Sequence, residues 1–348
     1  MQIIEDGSQL TPEWFSVALG RPVIAVQARP IGTGQMGASW RVVLDYAGEP
    51  GPSPLVVKLA AGDEAARATS AHGYRKEIGF YTELAPTLAV RTPTCWYAAI
   101  TDDGANFTLL LEDLAPAVPG AQANSCSLAN ATGAVRNLAA LHAPRWNDES
   151  LRSHEFLSPL DEVVAELYGA AYQAAAPQFV DRYAEVLASE DAATIGDCAD
   201  LIVAWLLDRP APFAVTHGDY RLDNLMFSPD AANVAALDWQ TVSVGPPGRD
   251  LAYFVGTTFD AATRREYEGR LVGEYHERLV DLGVEDYPLE QCREDYRAGQ
   301  LQGPLITVLG AIYATAERSA SADRMFLTMA TRSCAAIRDL RSIELIAR

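Results

Sequence analysis

The sequence predicts an α+β protein built as two lobes, and three observations carry that reading. Strand signals crowd the first third of the chain, periodic and Ala-rich helical stretches fill the rest, and a single polar island interrupts the helical part. Strands followed by helices, without regular alternation, is the pattern of a segregated sheet and helix layer.

The elements follow in chain order. VIAVQARPI (23 to 31), WRVVLDY (40 to 46), PLVVKLAA (54 to 61), TCWYAAIT (94 to 101) and NFTLLLEDL (106 to 114) are rich in β-branched and aromatic residues and read as strands. The Pro/Gly cluster AGEPGPS (48 to 54) joins the second and third as a hairpin-type connection. One helix interrupts the strands at residues 64 to 85, where Tyr74, Ile78 and Tyr81 share a face. These elements make a small lobe over residues 1 to 115. Beyond it, helices are expected at 125 to 143, 159 to 175, 194 to 208, 261 to 282, 289 to 316 and 322 to 345, within a second lobe spanning 116 to 348. Tyr267, Leu271, Tyr275 and Leu279 recur every fourth residue, as one buried stripe does. The island is HGDYRLDNLMF (217 to 227) with VAALDW after it: a loop and two short strands.

Composition narrows the function classes. With 348 residues, 49% of them hydrophobic, the chain has ample material for a core. No stretch approaches the ~18 consecutive apolar residues of a membrane span, and the opening MQIIEDGSQLTPEW has no basic run leading into an apolar one. Five cysteines, Cys95, Cys126, Cys198, Cys292 and Cys334, lie far apart without a C-x-x-C pair, which predicts free thiols, a cytoplasmic setting and no zinc site. Forty-six acidic against 27 basic residues give a net charge of −19, which repels nucleic acid and anionic membranes. Oligomeric state leaves no signal.

The motifs come in an order that matters. Gly32, Gly34 and Gly37 satisfy G-x-G-x-x-G, but the strand WRVVLDY follows where a dinucleotide site needs a helix. They fit either a hairpin lying over phosphates or a plain turn. Lys58 sits in an apolar strand whose alternation sets Val56, Lys58 and Ala60 on one face. Nineteen residues later Glu77 lies beside the Tyr74 and Tyr81 stripe, where a carboxylate wants a cationic partner. Then His217, Asp219 and Asn224 spell H-G-D-x-x-x-x-N, and Asp238 follows at the end of an apolar strand. Transfer of a phosphoryl group from ATP to a hydroxyl needs this inventory: a carboxylate for the acceptor proton, a carboxylate and an amide oxygen for magnesium, and a lysine and glycine-rich cover for the phosphates.

This ordered set resembles the aminoglycoside phosphotransferase and choline kinase group of small-molecule kinases, over nearly the whole chain. The resemblance implies a bilobal protein-kinase-like fold with MgATP in the cleft. It makes Asp219 the catalytic base, Asn224 and Asp238 the magnesium ligands, and Lys58 paired with Glu77 the holder of the ATP phosphates beneath Gly32, Gly34 and Gly37. It also makes LLLEDL (109 to 114) the hinge, where the backbone at Glu112 and Leu114 binds adenine. Gly218 stands where protein kinases carry an arginine. Only eleven residues, GPPG among them, separate Asp238 from Asp250, too few for a peptide-docking segment. Gln240 replaces the usual glycine after the metal aspartate, as in the D-x-Q variant of the ecdysteroid-kinase-like branch.

The expected partner is therefore a hydroxylated small-molecule acceptor. An antibiotic-inactivating phosphotransferase and a kinase-like protein that binds without turnover are the alternatives. Tyr220, Asp223 and Trp239 neighbour the expected chemistry and are candidates for facing the acceptor, with local packing as the rival role. His217 is expected to brace its loop, His142 to serve at a helix end, and Asp250 to cap a helix or tie back to the catalytic loop.

Overall fold

A computed structural model describes residues 2–31, 37–157, 160–230, 233–313 and 318–346. The chain forms two compact units: one runs to Thr87 and takes in Thr92–Pro116 and Leu237–Val242, and the other holds the remainder.

In the first unit, helix α1 (Pro12–Leu19) precedes a five-stranded sheet of β1 (Val23–Ile31), β2 (Gly37–Tyr46), β3 (Leu55–Ala60), β4 (Cys95–Ile100) and β5 (Phe107–Glu112). The order is β1-β2-β3-β5-β4, all antiparallel. Thr11 caps α1 by accepting from the Trp14 N–H, and Gly20 ends it in the left-handed region at φ 63°. Along β3 the period of two separates buried Leu55, Val57 and Leu59 from half-buried Val56, Lys58 and Ala60. The buried set joins Trp14, Phe15, Val42, Leu44 and Leu110 in the core, while Lys58 stands on the other face between Ser39 and Leu109. That other face is where α2 (Glu64–Gly79), capped by Asp63, presents Tyr74, Glu77 and Ile78, all buried. The helix expected to run to residue 85 changes at Phe80 into a π-helical turn over Phe80–Leu84.

The second unit carries β6 (Val118–Pro119), α3 (Leu128–His142), α4 (Glu162–Arg182), α5 (Ser189–Ala199), α6 (Ile202–Leu207), β7 (Ala214–Thr216), β8 (Leu225–Phe227), β9 (Val234–Ala236) and β10 (Ser243–Gly245). It continues with α7 (Gly248–Thr258), α8 (Ala261–Asp281), α9 (Leu289–Ala298), α10 (Gln302–Tyr313), α11 (Ala320–Leu340) and α12 (Ile343–Ile346). Two small sheets, β6-β8-β9 and β10-β7, flank the HGDYRLDN loop. Leu271, Tyr275 and Leu279 of the α8 stripe are buried, as their spacing predicts. The helix expected over 194 to 208 is two, α5 and α6. The long one expected over 289 to 316 breaks at a 3-10 turn, Gly299–Leu301. Among the described residues no helix is long and apolar enough to cross a membrane.

Candidate active site

In the first unit the strand lysine meets two carboxylates. Lys58 Nζ donates to both oxygens of Glu77 at 2.7 Å and to Asp238 Oδ1 at 3.2 Å. The Glu77 side chain is 1% exposed and that of Asp238 44%, so the lysine bridges one sealed anion and one open to solvent. Burial alone would depress the Lys58 ammonium, but Asp238 and Glu77 outweigh it and hold it above its ordinary value. Burial pushes the Glu77 carboxyl up against the opposing pull of Lys58. Asp238 adopts φ 62°, a left-handed backbone that costs a non-glycine residue strain and that Asp tolerates better than most.

Around this centre, a Cβ built on Gly37 would come 3.1 Å from Lys58 Cε, so the absent side chain leaves room for the lysine stem. Gly32 and Gly34 lie outside the described residues. Glu112 ends β5, with its N–H donating to the Thr94 carbonyl and its side chain accepting from Thr94. Among the described residues the Leu114 N–H meets no acceptor. Trp239 is a correction: it is fully buried, stacked on Phe80 with centroids 3.6 Å apart, and its Nε1 donates to Thr92. It packs the unit and does not face an acceptor.

In the second unit Asp219 is held from three sides. Tyr253 donates its hydroxyl to Oδ1 at 2.7 Å, while Arg221 Nε and Asn224 Nδ2 donate to Oδ2 at 3.1 and 2.9 Å. Asn224 Nδ2 also reaches the Asp219 carbonyl, so both its bonds leave the amide oxygen uncommitted. Arg221 donates through its other arm to Asp223, whose carboxylate also accepts the Gln122 N–H. Asp223 is thus tied within the loop, though its side chain keeps 35% exposure. Tyr220 is the second correction: it is fully buried and donates to the Ala134 carbonyl, so it anchors the loop on α3.

The loop's backbone is fixed from beneath. Asp250, in the first turn of α7, accepts from the N–H groups of His217 (2.6 Å) and Gly218 (3.0 Å), and His142 Nε2 lies 3.3 Å away. Burial would raise the Asp250 carboxyl, but His142 and His217 hold it below its ordinary value. Gly218 sits at φ 81°, where a side chain would be strained, and its carbonyl accepts from Gln302. His217 is fully buried and its Nδ1 accepts the Asp219 N–H, the bracing role its position predicts. His142 is buried at the end of α3 and bonds Tyr275.

Sequence reasoning missed Tyr253 and Gln122. Gln122 is fully buried; it accepts the Leu222 N–H and donates to the Thr257 carbonyl. Tyr253 lies in an apolar helix, where an aromatic residue reads as packing. Gln122 lies in a loop with no periodicity. Neither gives a local signal.

Sheet, helices and connections together define a bilobal α+β protein of kinase-like fold. Choline kinase from Cryptosporidium parvum superposes with a TM-score of 0.58 at 11% identity, over 98% of this chain and 94% of that one. An ethanolamine kinase from Plasmodium vivax gives 0.50 at 13%, over 91% and 84%. Residues 32–285 match the ecdysteroid kinase-like family, and the chain belongs to it. This is the branch to which Gln240 pointed. Among curated relatives, a 56-residue stretch is 45% identical to mouse acyl-CoA dehydrogenase family member 10, spanning 15% of this chain and 5% of that protein. The matches cover less than a tenth of the length of these curated relatives.

Proposed function

We propose that this protein is an ATP-dependent O-phosphotransferase acting on a hydroxyl of a small molecule. The observation that supports this best is the setting of Asp219. A carboxylate offers about four lone-pair positions; Tyr253, Arg221 and Asn224 fill three, with Arg221 Nε 3.1 Å from either oxygen, leaving one for an acceptor hydroxyl. Three fixed donors orient the group before any acceptor arrives, which is how a general base contributes roughly 10²- to 10⁴-fold. In this reading the Asp219 carboxylate aligns the hydroxyl and receives its proton as the oxygen bonds to the γ-phosphorus of ATP and the bond to the ADP oxygen breaks. Lys58, fixed by Glu77, would turn to the phosphates the N–H that Asp238 accepts here. Leu114 N–H and the Glu112 carbonyl are the backbone groups assigned to adenine.

The donor set suits magnesium. Asn224 keeps its amide oxygen and Asp238 a half-exposed carboxylate, hard oxygen donors of the kind that ion takes one or two of from protein. Among the described residues no group of three or more His, Cys, Asp or Glu forms an all-protein cage. When bound, magnesium neutralises phosphate charge and polarises the transferred group. The presence of Asp219, Asn224 and Asp238 together speaks against a protein that binds without turnover.

Isothermal titration with MgATP tests the assignment residue by residue. Wild type and Asp219→Ala bind alike, whereas Asp238→Ala loses the magnesium-dependent part of the affinity. Equal magnesium dependence in Asp238→Ala would remove that residue from the site.

A further inference from the structure

Gln240 stands where protein kinases carry a glycine, and its contacts give it a task of its own. It is 6% exposed, and its Nε2 donates to Glu77 Oε2 at 3.0 Å, the same carboxylate that holds Lys58. Its Oε1 is buried with no hydrogen-bond partner. A buried amide oxygen left unpaired is destabilising, and an apolar side chain of the same length would remove that cost. The bond to Glu77 is what the amide gains in return.

The neighbouring residues act on the same element. Asp238 contacts Lys58, Trp239 stacks on Phe80 at 7° between planes just beyond α2, and Gln240 rests on α2 one turn before Glu77. A methyl added at Gly73 would lie 3.4 Å from the Gln240 Cβ. Three consecutive side chains therefore grip the strand lysine, the π-helical turn and the helix glutamate. In protein kinases the lysine–glutamate pair must be assembled, and activation-segment phosphorylation controls it. Here eleven residues join Asp238 to Asp250, leaving no such segment.

We infer that Gln240 is a positioning residue that holds Glu77 against Lys58 before nucleotide binds, so that the phosphate-binding lysine is permanently set. The inference rests on the phosphotransferase reading, because it assigns Lys58 to phosphate.

A double-mutant cycle on MgATP affinity, read by equilibrium titration, tests it without knowledge of the acceptor. Gln240→Met keeps the volume and removes the donor; it weakens MgATP binding about tenfold, within the range of coupled neighbours. In a Glu77→Gln background, where the carboxylate is already gone, the same change alters affinity by no more than about twofold. Equal losses in both backgrounds would show that Gln240 only packs the unit, and no loss in either would show that Glu77 needs no support. Should Gln240→Met fail to fold, Gln240→Asn, whose amide stops one methylene short, completes the cycle. Wild-type protein that binds no MgATP would instead overturn the phosphotransferase reading itself.

Discussion

Asp219 carries three donors on two oxygens, and each can be removed singly. Asp219→Ala lowers turnover by roughly 10²- to 10⁴-fold while leaving MgATP affinity in place, because Asn224 keeps its bond to the carbonyl of residue 219 and Lys58 its bonds to Glu77. Tyr253→Phe deletes one hydroxyl and keeps the packing of a fully enclosed ring. A hydrogen bond to a charged group is worth about 1.5–3 kcal/mol, so kcat falls about ten- to a hundredfold. The KM for ATP stays constant, a split that steady-state kinetics reads directly. A matching rise in KM would place Tyr253 in nucleotide binding. At this scale the sequence disclosed the residues whose neighbours supply context: Lys58 in its apolar strand, Glu77 on a helix stripe, Asp219 and Asn224 five apart. It did not disclose Tyr253, thirty-four positions after Asp219. Periodicity sees only near neighbours, and a contact made by folding leaves no spacing to read.

Elements bring these residues to their places. β3 sets Lys58 opposite its buried apolar face, and α2 buries Glu77 on the stripe shared with Tyr74. Both follow from periods of 2 and 3.6, which is why strand and helix alike were legible. The change to a π-helical turn at Phe80 was not, since it accompanies packing against Trp239, far along the chain. The first turn of α7 fixes the HGDYRLDN loop through Asp250, so Asp250→Asn trades a buried charge holding two N–H groups for a weaker acceptor. Weakening hydrogen bonds to a charged acceptor costs about 1.5–3 kcal/mol. The pH dependence has a definite sign. The native Asp250 carboxyl lies below its ordinary value of 3.8, so its contribution is complete above that value and is lost as pH falls through the native one. Thermal melts should show a gap between wild type and Asp250→Asn that is full well above pH 3.8 and narrows as pH falls below it. A gap that widens on acidification would contradict the lowered carboxyl value.

The molecule as a whole carries a charge of −19. Self-repulsion on that scale disfavours the compact state and is screened by salt. Raising ionic strength from about 0.01 to 0.15 M shortens the Debye length from about 30 to 8 Å. The melting temperature should rise over that interval; a fall would mean that attractive pairs such as Arg41 with Asp113 dominate. Fold class was legible at this scale because strands precede helices in the sequence, and because six site positions fall in one fixed order. The acceptor was not, since recognition of a small molecule draws on residues scattered over many elements with no common spacing. A coupled ADP-release assay tests phosphoryl transfer to a hydroxyl with Asp219 as base. MgATP would be offered with a panel of choline, ethanolamine, aminoglycosides and other hydroxylated antibiotics, sugars and sterols, with Asp219→Ala as the blank. The expected result is acceptor-dependent ADP release by wild type and none by the variant; equal release by both would contradict the role given to Asp219.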